Sequence, residues 1–323
     1  MKVVIFLTLL VSLIAFASCK PDDATSNKPE QTLENQFNVW AKRHSKKFKN
    51  EADKKAAFQD WQRRKERVDK HNADFASGKI TFKQKVWKHS DLSRAEKRNF
   101  LTGAAPPKNL RSLPAATGYP NFPPGPDFVN WTAQGLVGDV QDQGWCGSCW
   151  AFSAAGLIEA VFRRNNISNA TVSSQQMVDC SKVGTWGCSS GWPSQALKYV
   201  QNNGVAAAKN YPYLGDENKC TANKTTMIGN ISTVNEIPTR GNETWLKNIV
   251  ANVGPVGCLI CVEDSFFDYS TGVYYEPKCC QDIQHAVIIT GYGTDPKGGD
   301  YWLIKNSWGT SWGEHGFAKM ARN

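Results

Sequence analysis

Histidine is scarce in this chain: five among 323 residues, and only His285 and His315 follow Pro120. Cysteine is nearly missing from the first part, where Cys19 stands alone before Pro120 and the other nine of ten come after it. With so few histidines, and with disulfides the default use of cysteine in an oxidising compartment, a zinc domain is disfavoured, and neither metal nor cofactor is expected. Beyond the N-terminus no apolar run reaches the roughly 20 residues that a membrane helix needs. Charged residues make up only 21% and hydrophobic residues 41%, which excludes a disordered or fibrous chain.

The formal charge of +9 points at first to nucleic acid or an anionic membrane. Its distribution removes that reading. Before Pro120 there are 24 Lys+Arg and 12 Asp+Glu, and from Pro120 onward 14 and 17. The basic character thus belongs to the first third, and nucleic acid is not an expected partner. Opposite charge and opposite cysteine use divide the chain into two functional pieces.

Residues 1–18 carry Lys2, the apolar run Val3 to Phe16, and small residues at Ala15 and Ala17. That is the pattern of a cleaved signal peptide, although Phe16-Ala17-Ser18-Cys19 also has a faint lipobox character. Six N-x-[ST] sites follow, at Asn130, Asn166, Asn169, Asn223, Asn230 and Asn242. Together they suit a glycosylated protein of the secretory pathway, lysosomal or extracellular, where disulfides are the default use of cysteine.

From Gln31 to about Asn72 the spacing is helical, with Phe37, Trp40 and Ala41 on one face and Phe58, Trp61 and Val68 repeating the theme. Gly78 ends this stretch, and Ile80-Thr81-Phe82 with Val86-Trp87 suggest a short strand. Ser93 followed by Glu96 forms a capping box for a third helix. Residues 103–126, with Ala105-Pro106-Pro107 and Pro123-Pro124-Gly125-Pro126, have the composition of a cleavable linker. A basic helical segment, a linker and a disulfide-rich domain together suggest a zymogen.

The sharpest motif is Gln143-Gly144-Trp145-Cys146-Gly147-Ser148-Cys149-Trp150, followed by a helix-forming run from Ala151 to Ala160. Cys149 thus stands where a loop enters a helix. The helix dipole and free N–H groups there favour a thiolate and lower its pKa. The alternative, a thioredoxin-type Cys146/Cys149 redox pair, needs a βαβ context that the sequence does not offer. A thiolate nucleophile needs a base, and His285 opens the buried-strand pattern Ala286-Val287-Ile288-Ile289. His315, between Glu314 and Gly316, reads as a turn residue. Asn306, after the strand-like Asp300–Lys305, is the candidate to orient the imidazole, with Trp308 able to shield that bond from water.

On these residues the chain resembles the papain family of cysteine proteases over nearly its whole length. Cys149 and the downstream His285 and Asn306 lie 136 and 157 residues apart, in the family's range. The resemblance implies an α+β fold of two lobes, a helical left lobe and a β-barrel-like right lobe, preceded by a helical propeptide. The implied organisation is a signal peptide at 1–18, an inhibitory propeptide and linker at 19–119, and a peptidase domain at 120–323. It implies Cys149 as nucleophile, His285 as base and acid, Asn306 as orienter and Gln143 as oxyanion-hole amide with the Cys149 N–H. Asp53, Ala57, Trp61, Arg64, Val68 and Asn72 fall on the ERFNIN spacing of the family's propeptides, and only Asn72 keeps the consensus residue. The propeptide's length is cathepsin L-like.

The same resemblance implies a substrate wall of Trp192, Pro193, Leu259, Ala286 and Trp308, suited to a bulky apolar P2 side chain, and endopeptidase action. It implies disulfides Cys146–Cys188 and Cys180–Cys220. Cys279 matches a family position whose usual partner lies beyond Asn323, so Cys279 and Cys280 are expected to pair with Cys258 and Cys261 in an open order. Implied partners are peptide and protein substrates, the chain's own propeptide and cystatin-like inhibitors, with a monomer expected. The competing function is a catalytically inactive papain-fold binding protein. The charge contrast suggests an electrostatic latch between the basic precursor region and the mildly acidic domain, weakened by acid.

Overall fold

A computed structural model describes residues 32–106, 122–236 and 242–322. The expected signal segment, Cys19 and the middle of the linker lie outside the described residues. In chain order the elements are α1 (Leu33–Arg43), α2 (Glu51–Ala76), β1 (Phe82–Gln84), α3 (Arg94–Leu101), β2 (Val129–Asn130), α4 (Cys149–Arg164), α5 (Ser174–Cys180), β3 (Thr185–Trp186), β4 (Ser190–Gly191) and α6 (Pro193–Asn203). Then follow β5 (Val205–Ala206), β6 (Met227–Gly229), α7 (Glu243–Val253), β7 (Val256–Ile260), α8 (Asp264–Phe267), β8 (Tyr269–Tyr274), β9 (His285–Asp295), β10 (Gly299–Lys305) and β11 (Phe317–Ala321).

The N-terminal segment builds a small core of its own. Phe37 and Trp40 of α1 meet Trp61 of α2, with Phe37 and Trp61 rings 5.6 Å apart and edge-on. The helical pattern read from Gln31 to about Asn72 forms two helices separated at residues 44–50, and Asn50 caps the second by accepting from Asp53 N. The third helix is capped as expected, Ser93 and Glu96 each accepting from the other's backbone. Asn72 acts at the end of this core: its side chain donates to Gln84 O and accepts from Gln84 N, both at 2.9 Å. An amide side chain thereby completes the backbone pairing of β1.

Two further cores correspond to the two lobes. Helix α4 is buried on nearly every face, and its Trp150, Ala154, Ala155, Ile158 and Phe162 form the helical-lobe core with Met177, Val178 and Val200. Its alanine-rich sequence suits both the helix and the close neighbours. The β lobe is a seven-stranded sheet in the order β1-β8-β11-β10-β9-β2, with β7 also paired to β9. Its core is aromatic, with Phe266, Phe267, Tyr269, Trp302, Trp308 and Trp312. Phe82, Trp87 and Leu101 of the N-terminal segment belong to that same core. Strand β1 extends the sheet by pairing antiparallel with β8. Gly272 permits the approach, since a Cβ there would stand 2.4 Å from Thr81 O at φ +91°.

Cysteine pairing departs from one expectation. Cys146–Cys188 and Cys180–Cys220 are joined as implied, but of the remaining four only Cys261–Cys280 is bonded. Cys258 and Cys279 are thiols. Cys258 lies within β7, whereas Cys261 follows its end and Cys279 and Cys280 lie in the irregular chain between β8 and β9. One pair can meet while the other two diverge. Cys258 packs against the aromatic core and Cys279 is exposed.

Burial pushes the Cys258 thiol up to about 11. In the folded full chain at pH 8, Cys279 should alkylate readily and Cys258 only after unfolding. Peptide mapping that found Cys258 alkylated in the native protein would contradict this packing.

Candidate active site

Cys149 is the first residue of α4, and its loop is tied down from three sides. The Cys146–Cys188 disulfide joins it to the turn between β3 and β4. Gly147 N donates to Cys188 O at 2.8 Å. Ser148 Oγ lies 2.7 Å from Tyr213 Oη, which donates to Gln143 O. Across the cleft, β9 opens with His285 and Ala286 opposite Ile260 and Leu259 of β7. Ala286 N donates to Cys149 Sγ at 3.4 Å.

His285 and Asn306 come together from neighbouring strands: Nε2 of the imidazole lies 2.8 Å from Asn306 Oδ1. A register shift at Leu303–Ile304 bends β10 just before it delivers Asn306. Trp308 lies over the imidazole with ring centroids 4.7 Å apart and 29° between planes. His285 Nδ1, the other ring nitrogen, is buried without a hydrogen-bond partner among the described residues. His315 sits in an exposed turn at φ +54°, as the sequence suggests.

Gln143 is fully buried and its carboxamide is oriented by Ser307, whose Oγ donates to Gln143 Oε1 at 2.7 Å. Gln143 Nε2 donates to Cys146 O and to Phe100 O, each at 3.0 Å. Phe100 belongs to the N-terminal segment, so the amide already holds a carbonyl oxygen of this same chain. Leu101 O likewise accepts from Trp308 Nε1 at 2.7 Å.

The residues after α3 run through the cleft. Gly103 N and Ala104 N both donate to Gln284 O at 2.9 and 2.8 Å, while Gly191 N donates to Gly103 O and Ala105 N to Gly191 O. Ala104 and Gly191 form a parallel bridge, and Ala104 packs with Cys149, Leu259 and Ala286. Residues 103–105, expected as exposed linker, therefore run through the site, with Ala104 buried and Gly103 and Ala105 half-buried, and Pro106 emerges exposed. Gly103 allows this passage: at φ +145°, a Cβ would stand 2.0 Å from Gly147 O. Gln284 and Ser307 were not singled out from the sequence. Gln284 acts through its backbone, which leaves no side-chain signal, and the Ser307 hydroxyl is legible only beside Gln143.

The other candidates fall as follows. Trp192 is buried as the residue before α6, and Pro193 is that helix's first residue, where its missing N–H costs nothing. Trp308 is fully buried beneath Trp87 of the N-terminal segment, rings 6.0 Å apart. Of the six sequons, Asn166, Asn169, Asn223, Asn230 and Asn242 are exposed, and Asn130 is half-buried in β2.

Electrostatically the site is silent in this closed form. Burial pushes the Cys149 thiol up to about 12, against the pull of N–H groups from Ala286, Trp150, Ala104 and its own backbone. Burial lowers His285 to about 4, against the Asn306 bond. The helix-terminus effect expected to favour a thiolate is thus overridden by the loss of water. His89, packed edge-on to Trp145 and Trp87, is lowered to about 2, chiefly by burial and then by Lys88.

Two outcomes follow. Gly103→Ala should lift the crossing segment and raise the neutral-pH labelling rate of Cys149 in the uncut chain about tenfold or more, given about 1–3 kcal/mol for such a clash. Unchanged labelling would contradict the close approach. Histidines with lowered folded pKa bind more protons when unfolded, so stability is present above pH 6.5 and lost toward pH 4 at His285. A melting temperature of the uncut Cys149→Ser chain that stayed level between pH 7 and pH 4 would contradict this.

Comparison with known proteins agrees with this geometry. The profile of the papain family of cysteine proteases matches residues 125–323. The chain is 36% identical to cathepsin L of Sarcophaga peregrina, over 98% of its own length and 95% of the relative's. It is also 36% identical to mouse (Mus musculus) cathepsin K, over 99% and 94%. Among solved structures it superposes on digestive procathepsin L 3 of the Tenebrio molitor larval midgut with a TM-score of 0.82 and 29% identity, covering 91% of this chain and 95% of that one. Family profile, relatives and fold agree: this chain belongs to the papain family of cysteine proteases and is a cathepsin L-like zymogen of a cysteine endopeptidase.

Proposed function

We propose that the enzyme hydrolyses peptide bonds through an acyl-enzyme on Cys149, in a secreted or lysosomal setting. The carrying observation is the His285–Asn306 pair at 2.8 Å, covered by Trp308 and facing the start of α4. With the cleft open to water, the same N–H groups that now face the sulfur stabilise a thiolate, and His285 takes its proton. The thiolate attacks the substrate carbonyl, and the oxyanion is held by Gln143 Nε2 and the Cys149 N–H. His285 then protonates the leaving amine, and water releases the acyl group.

In this reading residues 1–18 are a signal peptide, 19–119 an inhibitory propeptide with linker, and 120–323 the peptidase domain. Occupation of Gln143 by Phe100 O supports inhibition by the N-terminal segment, since a substrate oxyanion needs that donor. Trp192, Pro193, Leu259, Ala286 and Trp308 form the substrate wall, and the packing of Ala104 on Leu259 and Ala286 supports an apolar subsite there. The exposed sequons carry glycans.

The deciding experiment is acid activation followed by labelling with an epoxide inhibitor of thiol proteases. Labelling should fall on Cys149 of processed protein and abolish peptide hydrolysis. Folded, processed protein that takes no label and cleaves no peptide would support the inactive binding protein instead. Asn306→Ala should lower kcat/KM roughly 100-fold, in the range for loss of a group that supports a general base. Wild-type kinetics in that variant would remove Asn306 from the mechanism.

A further inference from the structure

The prosegment meets the catalytic domain through one carboxylate that has no access to water. Asp268 follows α8 in the aromatic core of the β lobe and is 1% exposed. Arg64 of α2 reaches it with Nη1, 3.0 and 2.8 Å from the two carboxylate oxygens. The rest of the guanidinium is also held, Nε donating to Ser90 O and Nη2 to Leu92 O. Lys97 of α3 is fully buried, with its Nζ 3.8 Å from Asp268 and 5.5 Å from the Phe267 ring centre. Arg67 adds a third cation at 3.6 Å.

Around this centre lie pairs of a different kind. Arg94 meets Glu263 and Asp264, and Arg67 meets Asp264, but both arginine side chains are about half exposed. Exposed pairs of this sort discriminate weakly, because water solvates each partner when the other is lost. A buried carboxylate has no such alternative. A segment that brought apolar side chains opposite Asp268 would strand its charge in a hydrocarbon core.

We propose that Asp268 is the residue by which the catalytic domain recognises its own prosegment, accepting one with cations at positions 64 and 97 and rejecting one without them. The inference rests on the reading that this segment holds the cleft shut. It gives the charge contrast between the two parts of the chain a specific location. Selectivity arises from the penalty on a mismatch more than from the attraction itself. Arg64 replaces the consensus residue at one of the ERFNIN positions, so this departure becomes the complement of Asp268. Lys97, lowered to about 7 by burial, can shed its proton if the carboxylate is removed, whereas Arg64 cannot.

The test uses the uncut full chain at pH 7, reading the rate of epoxide labelling at Cys149 by intact mass. Arg64→Met and Asp268→Leu should each raise that rate about 100-fold, a shift equivalent to breaking a buried pair. The double variant Arg64→Met/Asp268→Leu should return to within about threefold of wild type, because an apolar pair fills the same space. Singles within twofold of wild type, or effects that multiply in the double variant, overturn the proposal. Thermal melts report whether each single variant is folded at the assay temperature. If the singles do not fold, a double variant that folds and stays latent supports the pairing, and one that also fails to fold overturns it. After processing, Arg64→Met should have wild-type kcat/KM, since the substituted segment is gone. Failure of processed wild type to label removes the protease reading, whereas normal labelling with latent singles removes only the Asp268 proposal.

Discussion

Exclusion of water from Cys149 and His285 is the constraint on which the closed molecule depends. A thiol raised to about 12 beside an imidazole lowered to about 4 is a neutral pair, and neutrality follows from burial alone. The residues that would run the chemistry are already in place around it. In the proposed reading, what separates this form from a reactive one is the run of chain from Phe100, whose O holds Gln143 Nε2, to Ala105. Trp308 joins the two functions in one side chain, one ring lying on the imidazole while its N–H holds Leu101 O.

The prosegment is held by three kinds of interaction with different ranges. Its own small core of Phe37, Trp40 and Trp61 sets the shape of the helical pair. Phe82, Trp87 and Leu101 then merge with the aromatic core of the β lobe, which is non-directional and tolerant. Backbone pairing at β1, and at Gly103 and Ala104, fixes register and direction. Of the ion pairs between the two parts, the centre at Asp268 is the one shut away from water, so it depends most on a particular charge at a particular position. Burial therefore supplies the hold, and charge supplies the discrimination.

Much of this was legible in the sequence. The Cys149 motif, His285 at the mouth of an apolar strand, Asn306 after the next strand and the Ser93 capping box each carry a local signature, and the structure brings the first three to one cleft. Other features had no such signature. The crossing segment is held through the backbones of Gln284 and Gly191 alone, so its composition read as free linker. The thiolate expectation for Cys149 considered the helix terminus without the desolvation that the chain's own N-terminus imposes. Arg64 read as decay of a consensus because its partner stands 204 residues away. The pairing of Cys261 with Cys280 depends on how the irregular chain before β9 is brought to the end of β7, and spacing does not reveal that.

Strand β1 has a consequence for the enzyme once it is cut. While it is present, Thr81 O accepts from Val273 N, and Lys85 N donates to Asp268 O. When it leaves, β8 becomes the margin of the sheet, and those groups of Tyr269–Tyr274 and its flank lose their partners. An unpaired margin is a template for another chain. This one is short, bends at Gly272 with φ +91°, and carries Ser270 and Thr271. Such a margin is readily wetted and poorly suited to continuous pairing, so processing exposes a strand whose sequence already discourages aggregation.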